Sequence, residues 1–161
     1  MLTGRRFAAA VIVVSLLAPL AACIPGDPDY SPVGFTLLNG RVAAVVPQCG
    51  DEKVVGMEAE ADPYDENGKL REESQLFWKV SGLKQLDSTG PFVVGDPAAW
   101  ERESDSLVAT LPDSFLVSVE TTRRRAVSSV RRAALDGLPG DQVLIDGNAG
   151  SLASLTKKWS C

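Results

Sequence analysis

Five arginines fall within ten residues, Arg123, Arg124, Arg125, Arg131 and Arg132, with no acid among them. A guanidinium is a planar fork of donors, so such a cluster suits phosphate, an acidic polymer or a carboxylate-rich protein patch. Residues 51–73 have the opposite bias, with nine acids and three bases. Two readings stand: a patch for an anionic partner, or two charged faces that are solvated and pair with each other. The second is the simpler, because exposed ion pairs are common and individually weak. Glu58 and Glu60 lie two apart. On one strand face their side chains would stand about 7 Å apart, a separation that inverting glycosidases use. Such a pair also needs a cleft and one carboxyl kept neutral. Glu-x-Glu is commonplace on exposed strands, so no catalytic residue is assigned. Histidine is absent altogether. That excludes Ser-His-Asp and Cys-His nucleophile systems and every His-bearing zinc site.

Three weaker patterns complete the chemistry. Ser154 and Lys157 fit S-x-x-K, but the companion S-D-N motif of penicillin-binding enzymes is missing and the chain is too short for that fold. Asp62 to Gly68 has the polarity of a calcium loop. With Gly68 at its sixth position, Pro63 and Ser74 would hold the first and last ligand positions, so both decisive carboxylates are missing. No metal and no cofactor is expected. Trp78, Trp100 and Trp159 read as core residues rather than pocket walls, since each falls at an inward position of its own element.

The elements that would position these groups are mostly strands. Asn39-Gly40 between Thr36-Leu37-Leu38 and Val42–Val46 predicts a hairpin, because a type I′ turn needs two positive φ angles. From Val54 to Ala61 the alternation puts Val55, Met57, Ala59 and Ala61 inward and Gly56, Glu58 and Glu60 outward. Gln75–Val80 points Leu76, Trp78 and Val80 inward. Phe92–Val94, Leu107–Leu111 and Val143–Ile145 are shorter strands, and Phe115, Val117 and Val119 mark a half-buried one. Asp96-Pro97 opens a short helical turn through Glu101, with a capping residue followed by proline. Residues 123–135 fit a helix through Val127, Val130 and Ala134, or a hairpin partner of the preceding strand. We favour the strand, because arginines on an exposed edge guard it against aggregation. Ser151–Ser160 predicts a C-terminal helix with Leu152, Leu155 and Trp159 in one stripe. Seven or more short strands separated by turn residues predict an antiparallel β-sandwich of immunoglobulin-like architecture with a short C-terminal helix.

The N-terminus has a different character. Arg5 and Arg6 precede an apolar run from Phe7 to Leu20, and Leu20-Ala21-Ala22-Cys23 follows. The run is shorter than the ~20 residues a membrane span needs. It has the layout of a removable signal peptide, and its end resembles the lipobox of bacterial lipoproteins. That resemblance covers residues 1–23 alone. It implies that 1–22 are removed and that Cys23 becomes a lipidated first residue, carrying diacylglycerol and a palmitate-type acyl chain. Residues 23–34 then form the anchor and a Pro-rich tether, and 35–161 the sandwich domain. Without the 22 leading residues and their two arginines, 139 residues remain with net charge −7. That size gives one domain with a real core. That charge argues against nucleic acid as a partner. In an exported protein, the two remaining cysteines, Cys49 and Cys161, read as a disulfide. It would close a loop of about 112 residues, worth roughly 4–5 kcal/mol in the chain-entropy view.

The sequence therefore reads as a lipoprotein on the extracytoplasmic face of a cell membrane. Its partners would be the membrane, through Cys23, and a protein or glycan of the cell envelope. The domain is expected to bind rather than catalyse. A carboxylate-dependent enzyme or enzyme subunit, and a lipid-handling protein, are the alternatives.

Overall fold

The computed structural model describes residues 31–64, 69–70, 75–85, 88–105 and 110–159. The signal segment, Cys23, Cys161 and parts of the 62–74 and 107–111 readings lie outside these residues. The strands run β1 (Gly34–Leu38), β2 (Arg41–Val45), β3 (Val54–Ala61), β4 (Leu76–Leu83), β5 (Phe92–Val93), β6 (Trp100–Asp105), β7 (Ser114–Thr121), β8 (Arg125–Arg131), β9 (Val143–Ile145) and β10 (Asn148–Gly150), and α1 (Leu152–Lys158) closes the chain. Among the described residues they form two five-stranded antiparallel sheets, ordered β10-β9-β1-β2-β5 and β6-β4-β3-β7-β8. This is a mainly β sandwich with a short C-terminal helix, as the sequence predicts. An immunoglobulin-like strand order does not follow from it, since constant-type immunoglobulin domains have sheets of four and three strands.

The apolar alternation of the strands builds one core between the sheets. Phe35, Met57, Trp78, Phe115, Leu155 and Trp159 are among its largest fully buried members. Trp100 is buried too and stacks obliquely on Phe92, ring centroids 5.7 Å apart. All three tryptophans are thus core residues. The indole N–H of Trp78 donates to Glu103 at 3.0 Å, and that of Trp159 to the Pro32 carbonyl at 2.6 Å. These bonds satisfy donors that would otherwise be costly to bury.

Local chemistry accounts for the turns. Asn39 and Gly40 both have positive φ, 52° and 74°, as a type I′ turn demands. Asp146 and Gly147 repeat the device between β9 and β10. The Asp96 side chain caps the Pro97–Ala99 turn by accepting from Ala98 N at 2.9 Å.

Several faces differ from the alternation read in the sequence, and most differences sit at register shifts. The shift between Val54 and Gly56 buries Val54 and leaves Val55 half-buried. Ala59 pairs with Trp78 but Glu60 pairs with Leu76, so Phe77 is the extra residue and Leu76 turns outward. Leu76 is accordingly exposed. Helical structure after Asp96 stops at Ala99, and Trp100 starts a strand instead. The 125–131 segment is a strand that buries Ala126, Ser128 and Val130. Val127, which the helical alternative would bury, is exposed. In α1, Leu155 and Trp159 are buried as predicted, while Leu152, at the first helical position, is 53% exposed. Residues 31–34, ahead of the expected start at Phe35, are buried within the body.

Candidate functional site

The outer face of the β6-β4-β3-β7-β8 sheet gathers the residues most capable of chemistry. Glu58 on β3 faces Lys79 on β4 as a direct cross-strand pair, with Nζ 2.5 Å from Oε1. Arg125 on β8 reaches across β7, donating to Ser118 Oγ at 3.1 Å and to Glu58 Oε2 at 3.0 Å. Four side chains thus tie four strands together. Gly56, two residues before Glu58, has no side chain, and the face sinks there into a depression of about 120 Å³. Lys79, Ser81, Ser118, Glu120 and Arg125 rim it together with Glu58. The Glu58 carboxylate, bonded to the ammonium, holds Lys79 above the ordinary lysine range. Glu58 therefore has both oxygens engaged by cations.

The five arginines do not form one patch. Arg123 pairs with Asp51. Arg124 lies inward, its Nε 3.1 Å from Glu52 Oε1, while its Nη1 donates to both Ser31 Oγ at 3.0 Å and the Trp159 carbonyl at 3.2 Å. Its guanidinium also lies 5.4 Å from the centroid of the Trp159 ring. Thr121 Oγ1 donates to the same Glu52 oxygen at 2.6 Å. Glu52 is fully buried, and its Oε2 has no hydrogen-bond partner among the described residues. Arg131 and Arg132 lie at the far end of β8, about 20 Å from Arg125 by strand rise. So Arg123, Arg124 and Arg125 each meet an acid from residues 51–58, as the paired-face reading expects. Only Arg131 and Arg132 make no ion pair among the described residues.

Two other concavities flank the body. One of about 320 Å³ at an end of the sandwich is lined by Asp62, Ser114, Arg131, Leu144 and Asp146 among others. The other, about 380 Å³, lies between Leu83–Gln85 and Ala98–Ala99. Among the described residues no group of His, Cys, Asp and Glu is arranged to hold a metal ion, and no helix is long and apolar enough to cross a membrane. Cys49 packs half-buried against the core and is not a free thiol.

Sequence reasoning singled out Glu58 and Arg125 but not Lys79 or Ser118. Only strand register brings these four together, and the signal would have been an acid and a lysine at matching outward positions of adjacent strands. Glu52 was read merely as one acid of a charged run. Its burial follows from the turn beginning at Cys49, where Glu52 N donates to the Cys49 carbonyl at 3.1 Å. Compared with protein-family models, with curated proteins and with solved structures, the chain matches none.

Proposed function

We propose that the protein is a lipid-anchored, extracytoplasmic binding module, held to the membrane through Cys23, with the sandwich as its non-catalytic working part. The observation that carries this reading is the lipobox Leu20-Ala21-Ala22-Cys23, in register with Arg5-Arg6 and the apolar run. The way the chain enters the domain supports it. Ser31 accepts from Arg124, Pro32 accepts from the Trp159 indole, and Val33 N donates to Ser128 Oγ at 2.9 Å. Eight residue steps separate Cys23 from Ser31, at most about 28 Å of extended chain. The body would therefore ride within that reach of the bilayer. A mature net charge of −7 leaves adhesion to the lipid acyl groups rather than to anionic headgroups. Ion pairing of Glu58 with two cations favours binding over carboxylate catalysis. A Cys49–Cys161 disulfide belongs to the same proposal, because it rests on export.

Metabolic labelling with a fatty-acid analogue tests it. The native chain should be labelled and sediment with membranes. Cys23→Ala should lose the label and leave the membrane fraction. Label and retention unchanged by that substitution would refute the reading.

A further inference from the structure

Among the described residues four strands lie at sheet edges: β10 and β5 in one sheet, β6 and β8 in the other. An open edge is a template for a further strand, and proteins blunt edges with short strands, mixed charge or breaks in register. β10 has three residues and β5 two. β6 carries Glu101, Arg102, Glu103 and Asp105 and pairs with β4 through a register shift. Apart from an arginine at each end, β8 has none of these features. It runs seven residues without Gly or Pro, in unbroken register with β7 from Ser114↔Arg131 to Glu120↔Arg125.

Two hydrogen bonds fix the phase of that ladder. Thr121 N donates to Arg124 O and Arg132 N to Asp113 O, both at 2.8 Å. Paired backbone groups alternate along an antiparallel ladder. Ala126, Ser128 and Val130 therefore turn their N–H and C=O toward β7. Arg125, Val127, Ser129 and Arg131 turn theirs to the open edge, and all four are exposed.

Charge selects the occupant. Arg131 makes no ion pair among the described residues, and Arg132 follows it. Arg125 and Lys79 share one carboxylate, Glu58, and Glu120 stands opposite Arg125 on β7, so that end is balanced in charge. A second copy adding its own β8 antiparallel about Ser128 would set Arg125 against Arg131 at both ends. Like charges directly opposite each other destabilise a strand pair. An extended segment with acids at the two matching positions escapes that repulsion and meets attraction at Arg131. We propose that the β8 edge is a strand-addition site for an extended acidic segment of another protein. Main-chain hydrogen bonds would supply the affinity, and the terminal arginines the selectivity. The proposal rests on the binding-module reading and names its surface and partner class.

The test uses the full-length chain in detergent micelles and a fluorescent peptide, Glu-Thr-Ser-Thr-Val-Thr-Glu. Paired antiparallel, its glutamates face Arg131 and Arg125 and its valine faces Val127. Saturable binding that weakens with salt is expected. Replacing both glutamates by glutamine, or making Arg131→Glu, should weaken it about tenfold or more. N-methylation of the valine amide, which faces β8 in this pairing, should weaken it about tenfold, while N-methylation of the middle threonine, which faces away, should leave it unchanged. Val127→Pro removes one outward donor and no bond to β7, so it should mimic the valine methylation. Should that variant melt early, the methylated peptides carry the test alone. Equal binding of the two methylated peptides would overturn the proposal, because charge alone would then hold the peptide. Absence of binding would overturn it as well, and so would a dimer that Val127→Pro dissolves. None of these results touches the lipid anchor, which fatty-acid labelling reads separately.

Discussion

Glu58 and Arg124 show how differently similar ion pairs behave on this body. Arg124 bonds a fully buried carboxylate, so losing it would strand an uncompensated charge, which typically costs about 3–5 kcal/mol. Glu58 and Lys79 form a half-exposed pair whose worth is small and screened by salt. Its signature lies in pH. Lys79 is raised above the usual lysine value of 10.5, chiefly by its hydrogen bond to Glu58 and then by the charge of Glu58. A raised folded value means the ammonium stabilises the fold at all pH below that of the unfolded lysine. The contribution is lost as pH rises through the higher folded value. Glu58→Gln should therefore lower the Lys79 titration midpoint toward 10.5 and flatten the alkaline loss of stability. NMR of the Lys79 side chain reads it, and an unmoved midpoint would show that the pair is not formed in solution. Of these residues the sequence reveals the charges but not the couples. Glu58 and Lys79 lie twenty-one positions apart, and only the β3–β4 register makes them neighbours.

At the scale of elements, local signals worked where they were strong. Asn39-Gly40 dictates a type I′ hairpin, and β7 alternates cleanly through Phe115, Val117 and Val119. β6 escaped because Trp-Glu-Arg-Glu-Ser-Asp has one apolar residue, and its pairing with β4 is what makes it a strand. β10, Asn-Ala-Gly, has no strand propensity of its own and follows from the turn at Asp146-Gly147. Leu76 was misplaced because a bulge shifts parity by one, and no composition rule announces a bulge. The C-terminal helix joins the core through two residues rather than three. Trp159→Ala should cost about 3–5 kcal/mol by leaving a cavity, whereas Leu152→Ala, at an exposed position, should stay within about 0.5 kcal/mol. Thermal or denaturant unfolding of both variants checks this, and similar losses would contradict the placement of the helix. We also propose that a disulfide from Cys49 to Cys161 reinforces the junction. Arg124 already joins the Trp159 carbonyl to Glu52, three residues beyond Cys49. Non-reducing peptide mapping of the natively secreted chain should recover the two cysteines linked. Separate alkylatable thiols would exclude the bridge.

For the whole molecule, the sandwich was legible from strand spacing and turn residues, because those are local quantities. The surface was not. Arginines adjacent in sequence are divided between a buried network, an ion-paired face and an open edge, and that division depends on which strand neighbours which. The proposed arrangement is a small acidic body in which Ser31 to Val33 are bonded to the rest of the fold, a few residues from a lipidated cysteine. Among the described residues β8 is a sheet edge in unbroken register with β7, and the proposed partner strand would add to it. The proposed location depends on Cys23. The most direct measurement is intact-mass and N-terminal peptide mass spectrometry of the protein extracted from its native membrane. The expected chain begins at Cys23 and carries diacylglycerol through a thioether on its sulfur. A chain that keeps residues 1–22, or one that begins elsewhere with no lipid on Cys23, would contradict it.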